Sequence, residues 1–275
     1  MAMEEQQGTR GAIILGGGVG PMAGVKLHEK IITFTRTSGR DQDHIDVIHI
    51  SRASRIADRT GYLLGLESEN PGTVMGILVV AETARFQPGV ELPPLLCAAV
   101  PCNTFHAPAV WDAFLHEIEQ AGRPVKPVHM LDACLGELQE RLQKGSKIGI
   151  LSTTGTARIG VWKDQLKQGG FTTLEVDEEM QERVHQAIYD PQWGIKSETP
   201  PSHKAITILQ EAASSLASQG AEAIILGCTE IPLALKEGPI NGVLQIDPVS
   251  SLARALIRAA GGEVKEFAAP KAEEN

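Results

Sequence analysis

Short apolar runs alternate with longer stretches of helical spacing along almost the whole chain, and this constrains the fold more than any other feature. Residues 11–15, 46–50, 95–100, 147–152, 171–176 and 223–226 read as strands, with a short extended piece at 124–130. Residues 21–32, 73–85, 107–121, 131–143, 158–169, 178–189, 203–219 and 250–260 carry helical periodicity. Such alternation predicts an α/β fold, because parallel strands need crossover helices to join them. At 275 residues the chain is long for one compact domain. The expectation is therefore two domains, each with a parallel sheet of about four strands flanked by helices. The first would cover 10–124 with a returning C-terminal helix at 245–262, and the second 125–244. The break falls where Gly122-Arg123-Pro124-Val125-Lys126-Pro127 interrupts the periodicity. Residues 1–9 and 263–275 read as disordered tails.

Two corners of the sequence echo each other. Ala98-Ala99-Val100-Pro101-Cys102-Asn103-Thr104 and Ile224-Ile225-Leu226-Gly227-Cys228-Thr229-Glu230 share one plan: a buried strand, a Pro or Gly, a cysteine, then a Thr within two residues. In open parallel sheets ligands bind at the carboxyl ends of strands, where both cysteines fall. Each is also expected to precede a helix whose first N–H groups favour a thiolate and lower the thiol pKa. The other two cysteines, Cys97 inside an apolar run and Cys134 at helical spacing from Leu131 and Leu138, read as small core residues. The cysteines are too few and too scattered for a disulfide framework, and none has zinc-site spacing. A core reading competes for Cys102 and Cys228 too, but their polar neighbours Asn103, Thr104, Thr229 and Glu230 favour chemistry.

Two thiols facing each other suit inversion of a stereocentre by proton transfer. A thiolate removes the α-proton on one face, and the other thiol reprotonates the planar carbanion on the opposite face. The net charge of −9 argues against a nucleic-acid surface. The polar N-terminus and the lack of a long apolar run predict a cytosolic protein without a membrane span. The segment Gly16–Pro21 does not read as a nucleotide site: Pro21 replaces the third Gly of a dinucleotide fingerprint, and no Lys-Ser/Thr closes it as a P-loop. No residue pattern implies a pyridoxal or flavin site with equal force.

These motifs resemble the aspartate/glutamate racemase family, in the same order and over nearly the whole chain. Ile14-Leu15-Gly16-Gly17-Gly18-Val19-Gly20-Pro21 is similar to its N-terminal glycine loop, with Val19 where Met is common. Asp41-Gln42-Asp43-His44, Asp58-Arg59-Thr60, Leu151-Ser152-Thr153-Thr154-Gly155-Thr156 and Asp247-Pro248 resemble further signatures. Pro101-Cys102-Asn103-Thr104-Phe105-His106 and Gly227-Cys228-Thr229-Glu230-Ile231-Pro232 resemble its two catalytic corners. The resemblance implies two similar α/β domains related by a pseudo-two-fold, an active site between them, and commonly a homodimer. It implies a PLP-independent racemase, needing no cofactor, that makes a D-amino acid from a small acidic amino acid, aspartate or glutamate. Cys102 and Cys228 become the acid/base pair. Asn103, Thr104, Thr154, Gly155, Thr156 and Thr229 would hold the substrate, helped by backbone N–H groups around Gly18 and Gly20. Arg59 would face the side-chain carboxylate. Read from the residues alone, His106 close after Cys102 either raises its thiolate content or caps the following helix, and Glu230 either orients a cysteine or the substrate amine or is simply buried at a helix start.

One departure touches specificity. Some aspartate-specific members place a lysine shortly after the segment matching Ile188-Tyr189, whereas this chain has Trp193 there and Lys196 three residues later. Lys196, Arg59 or Arg52 is then the candidate for the distal pocket; Arg52 and Arg55 also read as a solvated edge. Trp111, Phe114 and Leu115 read as core or dimer surface. Related folds act as maleate isomerases, arylmalonate decarboxylases or hydantoin racemases. From another class, a non-catalytic amino-acid sensor would keep the two-lobed cleft. A decarboxylase needs one cysteine, so the pair favours racemisation.

Overall fold

The structure, a computed structural model, describes residues 11–83, 95–240 and 242–265. The expected leader at 1–9 lies outside the described residues, as do the end of the expected helix at 73–85 and residues 266–275 of the C-terminal tail. The first sheet is built from β1 (Ala12–Gly17), β2 (Asp46–Ser51), β3 (Leu96–Ala99) and β4 (Val125–Pro127). It has the order β2-β1-β3-β4, with every pair parallel. The second is built from β5 (Lys147–Leu151), β6 (Thr172–Leu174), β7 (Ala223–Leu226), β8 (Gly238–Ile240) and β9 (Val243–Ile246). Its order is β6-β5-β7-β9-β8, parallel except for the β8–β9 hairpin at the edge. Setting β8 aside, the two sheets repeat one order: second strand, first, third, fourth.

The central strands β1, β3 and β7 are buried along their whole length, as parallel strands covered on both faces must be. Their side chains alternate between cores. Ile13, Leu15, Cys97 and Ala99 of the first sheet share one core with Ile148, Ile150, Ala223 and Ile225 of the second. Ala12, Ile14, Leu96 and Ala98 turn to the opposite face of the first sheet, and Ile224 and Leu226 to that of the second. The shared core is filled by α5 (Met130–Arg141), α7 (Val161–Gly169) and α10 (Pro248–Ala259). Cys97 and Cys134 lie in it, and burial raises both thiols, which leaves them protonated and unreactive.

Four sequence expectations change here. The division at 124/125 falls in front of β4, which pairs with β3; Pro127 ends that edge strand, where no further ladder donor is needed. At the other boundary, residues 245 and 246 belong to β9 of the second sheet, while α10 does return to pack on α1 (Pro21–Phe34). The helix expected at 158–169 is two helices, α6 (Thr154–Ile159) and α7, because Gly160 adopts φ +78 and breaks the ladder. The expected tail is held at its start: Val264 bridges Thr35, and the Lys265 N–H donates to Phe34 O at 2.7 Å. No helix among the described residues is long and apolar enough to cross a membrane.

A buried ion cluster ties α5 to α10. Arg254 donates to both carboxylate oxygens of Glu137 at 2.9 and 2.8 Å and to Glu237 at 2.7 Å, while Ser251 donates to Glu137 at 2.6 Å. Arg254→Met removes the main countercharge of a carboxylate that stays buried. We expect a loss of about 3 kcal/mol in urea unfolding, with little change if Glu137 is replaced by Gln at the same time.

Candidate active site

In a sheet ordered second-first-third-fourth, the direction in which successive strands are added reverses between the first and third strands, and loops leaving those two parallel strands diverge to open a crevice. This places four loops at two matching crevices: the glycine loop after β1 and Cys102 after β3, the Thr153 loop after β5 and Cys228 after β7. Both cysteines are buried, 8% and 7% exposed.

The first corner turns at Pro101. Cys102 N donates to Val100 O at 3.0 Å, and a short 3-10 turn, Asn103–His106, follows. After Cys228 there is likewise only a 3-10 turn, Ile231–Leu233. The expected full helix behind each thiol is therefore absent; α4 (Pro108–Gln120) begins only after the first turn. Local partners govern the sulfurs instead, and they differ.

Cys102 faces Arg59. Asp58 caps the short α2 (Arg59–Leu63) by accepting from Gly61 N at 2.6 Å, which presents Arg59 at its start. The guanidinium donates to Ala57 O and Val19 O, both at 3.2 Å. Burial alone would lower the Arg59 pKa, but the sulfur of Cys102, with Asp58 and Tyr189 beyond it, raises it. Arg59 Nε is buried and has no partner among the described residues.

Cys228 faces a carboxylate. Its S–H donates to Glu230 Oε2 at 3.1 Å, Thr229 Oγ1 donates to the same oxygen at 3.1 Å, and Lys196 Nζ donates to Oε1 at 2.6 Å. Burial, and then the negative Glu230, push the Cys228 thiol well above its ordinary range, with Lys196 pulling the other way. The expected helix-lowered thiol is thus corrected: a carboxylate beside a buried sulfur stabilises the S–H. Burial would raise Glu230, but Lys196 and the hydrogen bonds from Cys228 and Thr229 hold it low, so it stays ionised.

Lys196 arrives from α8 (Glu178–Tyr189). The chain folds back after Tyr189: Ile195 N donates to Ala187 O and Lys196 N to Ile188 O. A side chain on Gly194 would lie 2.6 Å from the Asp190 backbone, so glycine permits this return. Trp193 packs into the outer core of the second sheet under Lys204, and Lys196 lies 5.3 Å from the Tyr189 ring centroid. Tyr189 is the site residue that sequence reasoning missed. Its phenol is pushed up to about 12 by burial, then by Cys228, Glu230 and Cys102, against the pull of Lys196.

The two halves meet through small groups. Thr104 Oγ1 lies 3.0 Å from Thr156 Oγ1, which lies 3.0 Å from Thr153 Oγ1, the cap of α6. A Cβ on Gly155 would come within 2.7 Å of Thr60, so Gly155 allows α6 to press against α2. Gly18 lies against the backbone of Arg52 and Ala53, whose side chains, with Arg55, are exposed. Gly20 reaches the second corner: at φ +118, its Cβ would stand 3.1 Å from Glu230 Oε1 and 3.7 Å from Thr229 Oγ1. Gly20→Ala would therefore combine backbone strain of about 1–3 kcal/mol with displacement of Glu230. We expect a lower unfolding midpoint together with a loss of turnover larger than the stability change explains.

Asn103 Oδ1 and Thr154 Oγ1 are buried without partners among the described residues. His106 is placed elsewhere: its Nε2 bonds Val100 O at 3.0 Å, and its ring packs on Trp111 and His129. Among the described residues no group of three or more His, Cys, Asp or Glu is placed to hold a metal ion.

The profile of the Asp/Glu/Hydantoin racemase family matches residues 17–256, which takes in both corners, the glycine loop and every cap described above. The chain belongs to this family. It stands therefore among racemases, a class of isomerase. Its fold is that of the aspartate racemase of Picrophilus torridus, with a TM-score of 0.71 at 23% identity over 93% of this chain and 96% of that one. It is also that of the glutamate racemase of Francisella tularensis, with a TM-score of 0.55 at 15% identity over 91% and 80%. An uncharacterized protein from the pnlA 3' region of Pectobacterium carotovorum subsp. carotovorum is 30% identical over 92 residues, 34% of this chain. That match spans only 57% of the relative's own length.

Proposed function

We propose that this family member is an amino-acid racemase that needs no cofactor and works by two-base proton transfer between Cys102 and Cys228. The observation that carries the reading is the opposite pairing of two equivalent thiols: Arg59 beside Cys102, and Glu230 accepting the Cys228 S–H at 3.1 Å. A cation suits a thiolate base, and a carboxylate suits a thiol acid. In the resting form Cys102 takes the α-proton onto its sulfur. The electron pair of the broken C–H bond moves into the substrate carboxylate, and Cys228 gives its own proton to the opposite face. The enzyme is then left with a Cys102 thiol and a Cys228 thiolate, which the reverse reaction or exchange with solvent resets.

The substrate carboxylate gains charge as the proton leaves, and preorganised donors help most there. Thr154 Oγ1 and the Thr104–Thr156 pair are the groups suited to it, while Asn103 Oδ1 suits the ammonium. Small acidic amino acids, aspartate or glutamate, are the first substrates to test, with Lys196 and Arg59 as the cations near the distal end. Proton NMR in D2O with a panel of L- and D-amino acids tests the reading. Loss of the α-proton signal on aspartate or glutamate is expected. No loss on any member of the panel would overturn it in favour of binding without chemistry.

A further inference from the structure

We propose that the cleft walled by α4, α5 and the α6–α7 junction is a second ligand site, for a flat nitrogen heterocycle with a ring N–H and a cationic arm, whose occupancy is felt at Cys102. The cleft has a volume of 630 Å3, well inside the range of small-molecule sites. Its floor is aromatic. The ring centroid of His106 lies 4.7 Å from that of Trp111 and 4.3 Å from that of His129, and Trp111 and His129 are 4.8 Å apart. The proton transfer proposed at the α-carbon leaves this cluster unused.

The polar requirement of the site follows from one atom. His106 is 4% exposed, and its Nε2–H donates to Val100 O, so the neutral ring leaves Nδ1 as a bare acceptor. Burial, with His129 nearby, lowers the His106 pKa well below its usual value, which keeps the ring neutral. Nδ1 is buried and has no partner among the described residues. A ligand ring laid over the outer face of this cluster, with its N–H reaching Nδ1 as the His129 ring turns aside, would supply the missing donor. At the rim stand Asp112, Asp164 and a single opposing cation, Lys167, all exposed. The excess acid favours a positive arm.

The coupling to the thiol is equally local. Val100 O accepts both the His106 ring N–H and the Cys102 backbone N–H, each at 3.0 Å. A ligand that draws on His106 therefore pulls on the carbonyl that fixes the Cys102 backbone. On the other wall, Ile159 ends α6, the helix that carries Thr156 to its contact with Thr104.

Tryptamine is the probe, with 1-methyltryptamine lacking the ring N–H and indole-3-propionate reversing the arm's charge. Binding is read by saturation-transfer NMR on the full chain. The rate of Cys102 alkylation by iodoacetamide is followed by peptide mass. Saturable tryptamine binding is expected, at least about tenfold weaker for either analogue, since each leaves a polar or charged group unpaired. Tryptamine should change Cys102 alkylation at least twofold in the wild type and not in Ile159→Trp, which fills the cleft. Asp164→Lys, at an exposed position, should weaken tryptamine but not indole-3-propionate, and it guards against a misfolded Ile159→Trp. Absence of saturable tryptamine binding, equal binding of 1-methyltryptamine, or unchanged alkylation would overturn the proposal. Neither readout needs racemase activity, so failure here and failure of the functional reading are separate results.

Discussion

Cys228→Ser is expected to cut racemisation by about 10^3-fold or more while sparing α-proton exchange on one enantiomer. In that variant Cys102 and Arg59 are intact, so the substrate hand that presents its hydrogen to Cys102 still loses it. With a serine hydroxyl as a poor acid on the far face, the carbanion is reprotonated from the same side. Without a fast forward step the Cys102 thiol has time to trade its proton for deuterium before returning it, so the recovered amino acid gains deuterium without having inverted. Cys102→Ser should show the mirror-image loss, with weaker residual exchange, because the remaining thiol is held protonated by burial and Glu230. Exchange is followed by proton NMR and inversion by chiral chromatography. Full inversion in either single variant would sink the two-base mechanism.

The second large effect belongs to Glu230. It accepts from Cys228, Thr229 and Lys196 together, so Glu230→Gln removes both the acceptor of the thiol proton and the countercharge of Lys196. Turnover should fall about 10^2-fold. The pH behaviour of Cys228 distinguishes this from simple misplacement. Burial is the first cause of the raised thiol and Glu230 the second, so wild-type Cys228 stays a thiol as pH rises through the ordinary range and ionises only above it. Without the carboxylate that limit moves down, and iodoacetamide should alkylate Cys228 faster at mildly alkaline pH. Lys196→Met removes the opposing cation and should move the limit up, slowing alkylation. The two variants acting in the same direction would contradict the assigned electrostatics.

The strand–helix alternation made the paired parallel sheets legible, because each central strand is a continuous apolar run and each crossover a periodic helix. The corners at Cys102 and Cys228 were legible for the same reason: a polar Asn-Thr or Thr-Glu directly after a buried strand has few structural explanations. Local spacing carried less elsewhere. β4 is three residues ending in Pro127, too short to show on which sheet it pairs, and β8 is an edge strand containing Pro239. Gly160 breaks one periodic segment without altering its apolar pattern. The charge around each thiol was not legible at all, since it depends on residues distant in sequence. Glu230 sits beside Cys228, but its state is set by Lys196, which reaches it through the Gly194 return and passes the Tyr189 ring at the end of α8. His106 was grouped with Cys102 by sequence distance, whereas the turn between them directs its ring to Trp111 and His129.

The most direct test of the account is solvent deuterium incorporation by the wild-type enzyme, starting from each pure enantiomer of aspartate and of glutamate and sampled early in the reaction. Two thiols on opposite faces predict deuterium in the inverted product and almost none in the recovered substrate, because the proton returned to the starting face is the one just removed. Deuterium appearing equally in both enantiomers from the first turnover would mean that one base serves both faces, contradicting the assignment of Cys102 and Cys228 as a pair.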